Sequence, residues 1–186
     1  LLKKNIGSVL ALYPTPVVVA GAMNGENPTW TLAAHVGIIG HDRILISLAS
    51  AHYINQFIKK NRKVSLNIVD EAILSKADFT GSHSGSTMDK SKVFEYELGE
   101  SGTPIIRKGA VTMECSVADI YITPGFESFI CSVDNTYVEE NYLNETGKIN
   151  YHAFKPVLFE FPTYEYLKTG DVIGKCLSFQ KNPQKV

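Results

Sequence analysis

"VTMECSVADIYI", residues 111–122, is the stretch that decides the fold class. Val111, Met113, Cys115 and Val117 alternate with Thr112, Glu114, Ser116 and Ala118. That period of two places successive side chains on opposite faces of a half-buried strand. "SFICSVDNTYV" (128–138) repeats the pattern, with Phe129, Cys131 and Val133 on one face and Ser132 and Asp134 on the other.

Working outward, short β-like segments recur between turn signals such as "YPTP", "NGENP" and "GHDR". They are "PVVVAGA" (16–22), a single strand over "TWTLAAHVGIIG" (29–40), "ILISLAS" (44–50), "KVSLNIV" (63–69), "KPVLFEF" (155–161) and "YEYLK" (164–168). The period changes in "HYINQFIKKNRK" (52–63), where Tyr53, Ile54, Phe57 and Ile58 take helical spacing. Ser50 is its expected N-cap, and Lys59 and Lys60 suit its last turn. "DEAILSKADF" (70–79) predicts a second short helix capped by Asp70, and "DKSKVFEYE" (89–97) one helical turn or two. The tail "SFQKNPQKV" (178–186) reads as frayed.

Six or more antiparallel strands with a few short helices predict a mainly β chain, closed or nearly closed into a barrel, because closure hides strand edges. A β-sandwich would give much the same string.

The 186 residues, 44% hydrophobic and 20% charged, suffice for one core, and a single domain over 1–186 is expected. A net charge of −1 with interspersed signs gives no footprint for nucleic acid or an anionic membrane. The longest apolar run, "TPVVVAGAM", is far shorter than a membrane span, and the start "LLKKNIGSVLALYP" has no small-residue cleavage pattern, so a soluble, cytoplasmic protein is expected. Cys115, Cys131 and Cys176 form neither a disulfide framework nor a zinc pattern and read as buried free thiols.

Two stretches could hold an anion. At "ISLASAHYINQF", a helix starting after Ser50 would direct the unpaired N–H groups of Ala51, His52 and Tyr53 at a negative charge, with Ser47, Ser50 and His52 adding donors. In "TGSHSGSTMDKSKVF" (80–94), hydroxyls, glycines and Lys90 are the groups a phosphate needs. Taken singly, each is as well read as an ordinary capped helix or a mobile surface loop. The five histidines show no helical metal-ligand pair, Ser84 lacks a nucleophile elbow, and no glycine-rich dinucleotide loop follows a strand, so no metal site and no catalytic nucleophile is expected. Trp30, the single tryptophan, is more often a core or interface anchor than a cofactor platform.

The order of features, "YPTPVVVAGA", "GIIG", "ILISLAS" running into "HYINQFIKKNRKVSLNIV", "SGSTMDKSKVF" and "KPVLFEFPTYEYLKTGDVIGK", resembles the flavin reductase-like, flavoredoxin-type FMN-binding split barrels from about Tyr13 to Lys175. The resemblance implies a Greek-key split β-barrel, a homodimer and non-covalent FMN near the subunit interface. It also implies transfer of reducing equivalents, from NADH or NADPH to flavin or from bound FMN to another acceptor. Ser84 and Lys90 would then sit near the flavin phosphate, opposite Ser50, His52 and Tyr53. Thr29, Trp30, Thr31, Leu32 and Ala33 would lie beside the isoalloxazine ring, and Ser47 and Ala49 complete the expected cofactor set. The chain departs from the family pattern at His35, at His52 to Ile54 and at Phe126. A non-catalytic flavin binder and a pyridoxamine-phosphate-oxidase-like flavoprotein are the alternatives. The latter expects clustered arginines, whereas Arg43, Arg62 and Arg107 are scattered.

Overall fold

The structure is a computed structural model describing residues 2–178, so all but the first residue of the tail expected to fray lies outside the described residues. In chain order the elements are β1 (Thr15–Pro16), β2 (Val18–Asn24), β3 (Asn27–Ala33), β4 (Val36–Ile38), β5 (Arg43–Ala49), α1 (Asn55–Asn61), β6 (Lys63–Ile68), α2 (Leu74–Ser82), β7 (Tyr96–Leu98), β8 (Pro104–Ile106), β9 (Val111–Thr123), β10 (Phe126–Val138), β11 (Leu158–Glu160) and β12 (Glu165–Leu167). The alternating stretch at 111–138 becomes the long hairpin β9–β10, paired Phe126 to Thr123 across Pro124–Gly125. Gly125 takes φ +83° there, a conformation that favours glycine.

Seven strands form one antiparallel sheet in the order β3-β2-β6-β9-β10-β5-β4. Its two edge strands, β3 and β4, are consecutive in the chain and separated only by Ala34 and His35. In a flat sheet six interstrand steps would hold the edges about 29 Å apart, whereas the chain from Ala33 to Val36 spans at most about 11 Å. The sheet therefore curls on itself until its edges meet at a seam, giving the split barrel that the strand count predicts. The single strand expected over 29–40 is broken at this seam. The Ala34 carbonyl accepts from Val36 N, and the His35 carbonyl from Ser47 N, which turns the chain from one edge to the other.

The barrel interior is filled by Ile46, Leu66, Phe129, Cys115 and Cys131, with Ile54 and Ile58 of the α1 region packed among them. A second cluster covers the outer side of β2 and β3: Val17, Val19 and Trp30 against Ile73 and Ala77 of the α2 region, Phe94 and Ile106. Covered on both faces, β2 reads as a continuous apolar run instead of an alternation. β11 and β12 stand outside the barrel sheet in a three-stranded sheet with β1.

Four expectations are corrected. Thr112 and Glu114 are buried although they lie on the face the alternation assigns to water, because the segment 99–106 covers that side of β9. The segment 89–97 forms turns and then β7 instead of a helix. α2 runs on through Ser82, past its expected end; Asp70 Oδ1 does accept from the N–H groups of Ala72 and Ile73 in the turn leading into it. Cys115 and Cys131 are buried thiols, their ionisation opposed chiefly by burial, but Cys176 is exposed.

Candidate functional site

The seam is also where backbone groups go unpaired. Within an antiparallel ladder the N–H and C=O of one residue point to the same side. The Trp30 carbonyl accepts from Lys90 Nζ at 3.0 Å, so it faces away from β2, and by the period of two so do the backbone groups of Leu32. β3 thus presents a free edge with Trp30 and Leu32 amides directed outward. The indole of Trp30 faces the other way, fully buried, 5.5 Å from Phe94 and 6.3 Å from Tyr96 in edge-on contacts, which is the core role.

A cavity of about 320 Å³ lies along this edge, between the turn before α1 and the loop after α2. The predicted helix start is displaced. His52 N–H donates to the Ala49 carbonyl, as does Asn55 Nδ2, so residues 50–54 form a turn and α1 begins at Asn55. Ser50 caps nothing: its N–H donates to the Gly125 carbonyl and its side chain is exposed. The amides of Ala51, Tyr53 and Ile54 are left without a protein partner among the described residues, and so are those of His83, Ser84 and Gly85 on the facing loop. All six residues line the same cavity. A concavity lined by residues with free N–H groups is suited to an anion. Gly85 lets the loop approach the turn this closely, since a Cβ would lie 2.6 Å from the Tyr53 ring and the loop would have to shift.

Thr29 and Thr31 form the floor, and Thr31 Oγ1 lies 3.5 Å from His52 Nδ1. Burial, and then the charge of Lys90, push His52 below its ordinary value, so its ring contributes hydrogen bonds rather than a standing charge. Lys90 is buried, with its ammonium bonded to two main-chain carbonyls, Trp30 at 3.0 Å and Thr80 at 2.7 Å. Burial lowers its pKa as well. Two of its three donors are therefore committed to tying the free edge of β3 to the last turn of α2, which makes Lys90 a positioning group as well as a local positive charge.

A wider cavity of about 680 Å³ adjoins the first, sharing His52, Gly81 and Ser82. Leu32, Ala33, Ser47 and Ala49 line it on the barrel side, and Phe159, Phe161, Tyr164 and Tyr166 of the β11–β12 hairpin on the other. Of the twelve residues expected from the sequence, seven line the narrow cavity and Leu32, Ala33, Ser47 and Ala49 the wide one, with His52 in both; Ser50 alone lies in neither. The sequence does not single out the aromatic wall, contributed from far downstream, or the loop amides of Ile54, His83 and Gly85; of the three amides it does single out, those of Ala51 and Tyr53 are free and that of His52 is bonded to the Ala49 carbonyl. None of the three arginines lines either cavity. No group of three potential metal ligands occurs among the described residues.

Known proteins share this architecture. The structure of flavoredoxin from Methanosarcina acetivorans superposes with a TM-score of 0.92 at 28% identity, covering 97% of this chain and 98% of that one. Flavoredoxin of Desulfovibrio vulgaris (Miyazaki F) gives 0.87 at 26% identity over 95% and 98%. An FMN-binding protein from Thermus thermophilus, at 19% identity, shares the fold with a TM-score of 0.79 over 93% and 98%. Among curated protein sequences none matches. The family model for the flavin reductase like domain matches residues 10–167, and with the split barrel and its seam the chain belongs to that family.

Proposed function

We propose that the chain is an FMN-binding oxidoreductase that passes reducing equivalents from NADH or NADPH to flavin, or from bound FMN to another acceptor. The observation that carries this reading is the placement of the unpaired amides, which line one narrow cavity at one end of a free strand edge. A flavin mononucleotide is an anionic group joined by a short polar chain to a flat ring, and the groove has a matching order of chemistry. Its amide-lined end suits the phosphate, with Ala51, Tyr53, Ser84 and Gly85 as donors and Lys90 supplying positive field. Thr29, Thr31 and His52 follow for the polyol. Leu32, Ala33, Ser47 and Ala49 border the space for the ring, with the outward Leu32 amide directed at its polar edge.

Bound flavin would supply the hydride chemistry, and no protein nucleophile or metal is then needed. The residues here bind, orient and offer fixed backbone dipoles where negative charge develops. A homodimer goes with this reading, supported by Ile38, Tyr121 and Ile122, which are 86%, 64% and 68% exposed; sedimentation of the purified chain checks it.

Titration of flavin-free protein with FMN and with riboflavin, which lacks the phosphate, tests the assignment. FMN is expected to bind at least about tenfold more tightly, the worth of one charge-assisted hydrogen bond. Equal affinities would remove the phosphate site, and no binding of either would remove the flavin reading.

A further inference from the structure

His52 stands where the narrow and the wide cavity join. Both of its backbone polar groups are committed, the N–H to the Ala49 carbonyl and the carbonyl to Asn55 N, so the polar group it offers the groove is its imidazole. That residue is half-buried, with Nδ1 3.5 Å from Thr31 Oγ1 and Nε2 without a protein partner among the described residues.

The ionisable groups around the ring decide its charge. On the narrow side these are Tyr53 of its own turn, and His83 and Lys90 of the loop after α2. On the wide side they are His35 at the seam, Asp78 of α2, and Tyr164 and Tyr166 of the β11–β12 hairpin; β3 and β5 bring none to either cavity. Asp78, the one carboxylate among the described residues that line the two cavities, accepts from Tyr166 Oη at 2.6 Å. In the protein alone the imidazole is therefore half-buried near a lysine, and burial, then Lys90, hold it below its ordinary value. A phosphate dianion at the amide-lined end reverses that balance, because an opposite charge nearby favours the protonated ring.

We propose that His52 reads the charge of the ligand: its ring takes up one proton from solvent as the phosphate enters, so the preference for FMN over riboflavin strengthens as pH falls. This rests on the flavin reading and adds to it a residue that sets specificity. By linkage, an anion that raises the ring's pKa in the complex above that in the free protein makes FMN affinity grow as pH falls from the bound value towards the free one.

FMN and riboflavin are each titrated into flavin-free protein between about pH 8 and 6.5, above the phosphate's own second pKa of about 6. The ratio of their affinities is expected to rise roughly tenfold towards the lower pH, the scale of one proton taken up with the ligand. Calorimetry in buffers of different ionisation enthalpy should show proton uptake with FMN and none with riboflavin. His52→Gln, which hydrogen-bonds but takes no proton at these pH values, is expected to flatten the ratio and abolish the uptake, with His52→Asn as the second variant where the glutamine does not fold. His83→Gln should keep both. A ratio independent of pH in the wild type, or a rise that survives substitution of His52, overturns the proposal and leaves the flavin reading intact; so does a rise lost in His83→Gln, which gives the proton to that ring. Equal affinities for the two flavins at every pH remove the phosphate site and this coupling with it, and binding of neither overturns the flavin reading as well.

Discussion

Two polar clusters in this molecule invite comparison, one around Glu114 and one at the seam. Glu114 is fully buried, yet its carboxylate accepts from Ser101 N, Thr103 N, Thr103 Oγ1, Asn135 Nδ2 and Tyr137 Oη at 2.8–3.2 Å. No cation pairs with it among the described residues, and each of these donors is aimed at it. At the seam the count runs the other way: six residues whose amides have no protein acceptor among the described residues line one cavity. A buried polar cluster whose partners are all present fixes structure, and one whose donors all await an acceptor marks a ligand site.

The sharpest way to break that contrast is Glu114→Gln. The amide puts an NH2 group in place of one carboxylate oxygen, facing two or three of the donors, and removes the charge from the rest, so a loss of about 3 kcal/mol in stability is expected. FMN affinity should be unchanged once the folded fraction is allowed for. Urea unfolding and FMN titration on the same preparation check both halves; a variant of wild-type stability that lost FMN would interchange the roles of the two clusters.

Acid tests the same carboxylate without a mutation. Burial alone would raise its pKa, but the hydrogen bonds from Ser101, Asn135, Thr103 and Tyr137 outweigh it and hold the group at about 2, below an ordinary 4.5. A depressed folded pKa stabilises above the unfolded value and ceases to do so as pH falls through the folded one. Roughly 3 kcal/mol of stability should therefore disappear between about pH 4.5 and 2 in the wild type. Glu114→Gln should lack that component, so the two unfolding curves should converge towards the acid end. Parallel curves would mean that the carboxylate titrates normally.

Lys90 sharpens the comparison because it belongs to both kinds of cluster. Its ammonium satisfies the Trp30 and Thr80 carbonyls, as Glu114 satisfies its donors, yet it lines the anion-suited cavity. Lys90→Ala should cost about 2 kcal/mol in stability through two carbonyls left without a donor. By releasing the edge of β3 it should weaken FMN and riboflavin by similar factors, with most of the preference for FMN kept by the amides. A loss confined to FMN would instead give the ammonium to the phosphate.

Much of this was legible in the residues because it depends on local period and on short-range chemistry. The strands of 111–138 follow from alternation, Asp70 marks the entry to α2, and the two loops that meet at the narrow cavity were recognisable by their hydroxyls, glycines and free backbone. What stayed hidden depends on contacts distant in sequence. Nothing in "TLAAHVG" announces that the strand breaks to join opposite edges of a sheet. Thr112 and Glu114 read as solvent-facing until the segment 99–106 is laid over them, and Lys90 reads as a free cation until the Trp30 and Thr80 carbonyls are brought to it. The aromatic wall is written in "FEFPTYEY", where it reads as strand and turn.

The smallest expected effect belongs to Gly85, and it bears on the amides most directly. Its residue lies on the loop facing the turn before α1, with Tyr53 Cδ1 2.6 Å and Thr29 Oγ1 3.2 Å from where a Cβ would stand. Gly85→Ala must push the loop away from the Tyr53 ring, widening the cavity by a fraction of an ångström. The loop has few buried side chains, so it can shift at little cost, and stability should change by less than about 1 kcal/mol. A donor moved from its optimal distance loses part of a bond worth about 1–3 kcal/mol to a charged acceptor, so FMN should bind several-fold more weakly while riboflavin changes less. Equal weakening of the two ligands would place the phosphate away from the Ser84–Gly85 amides, and the turn at Ala51–Ile54 would then have to hold it alone.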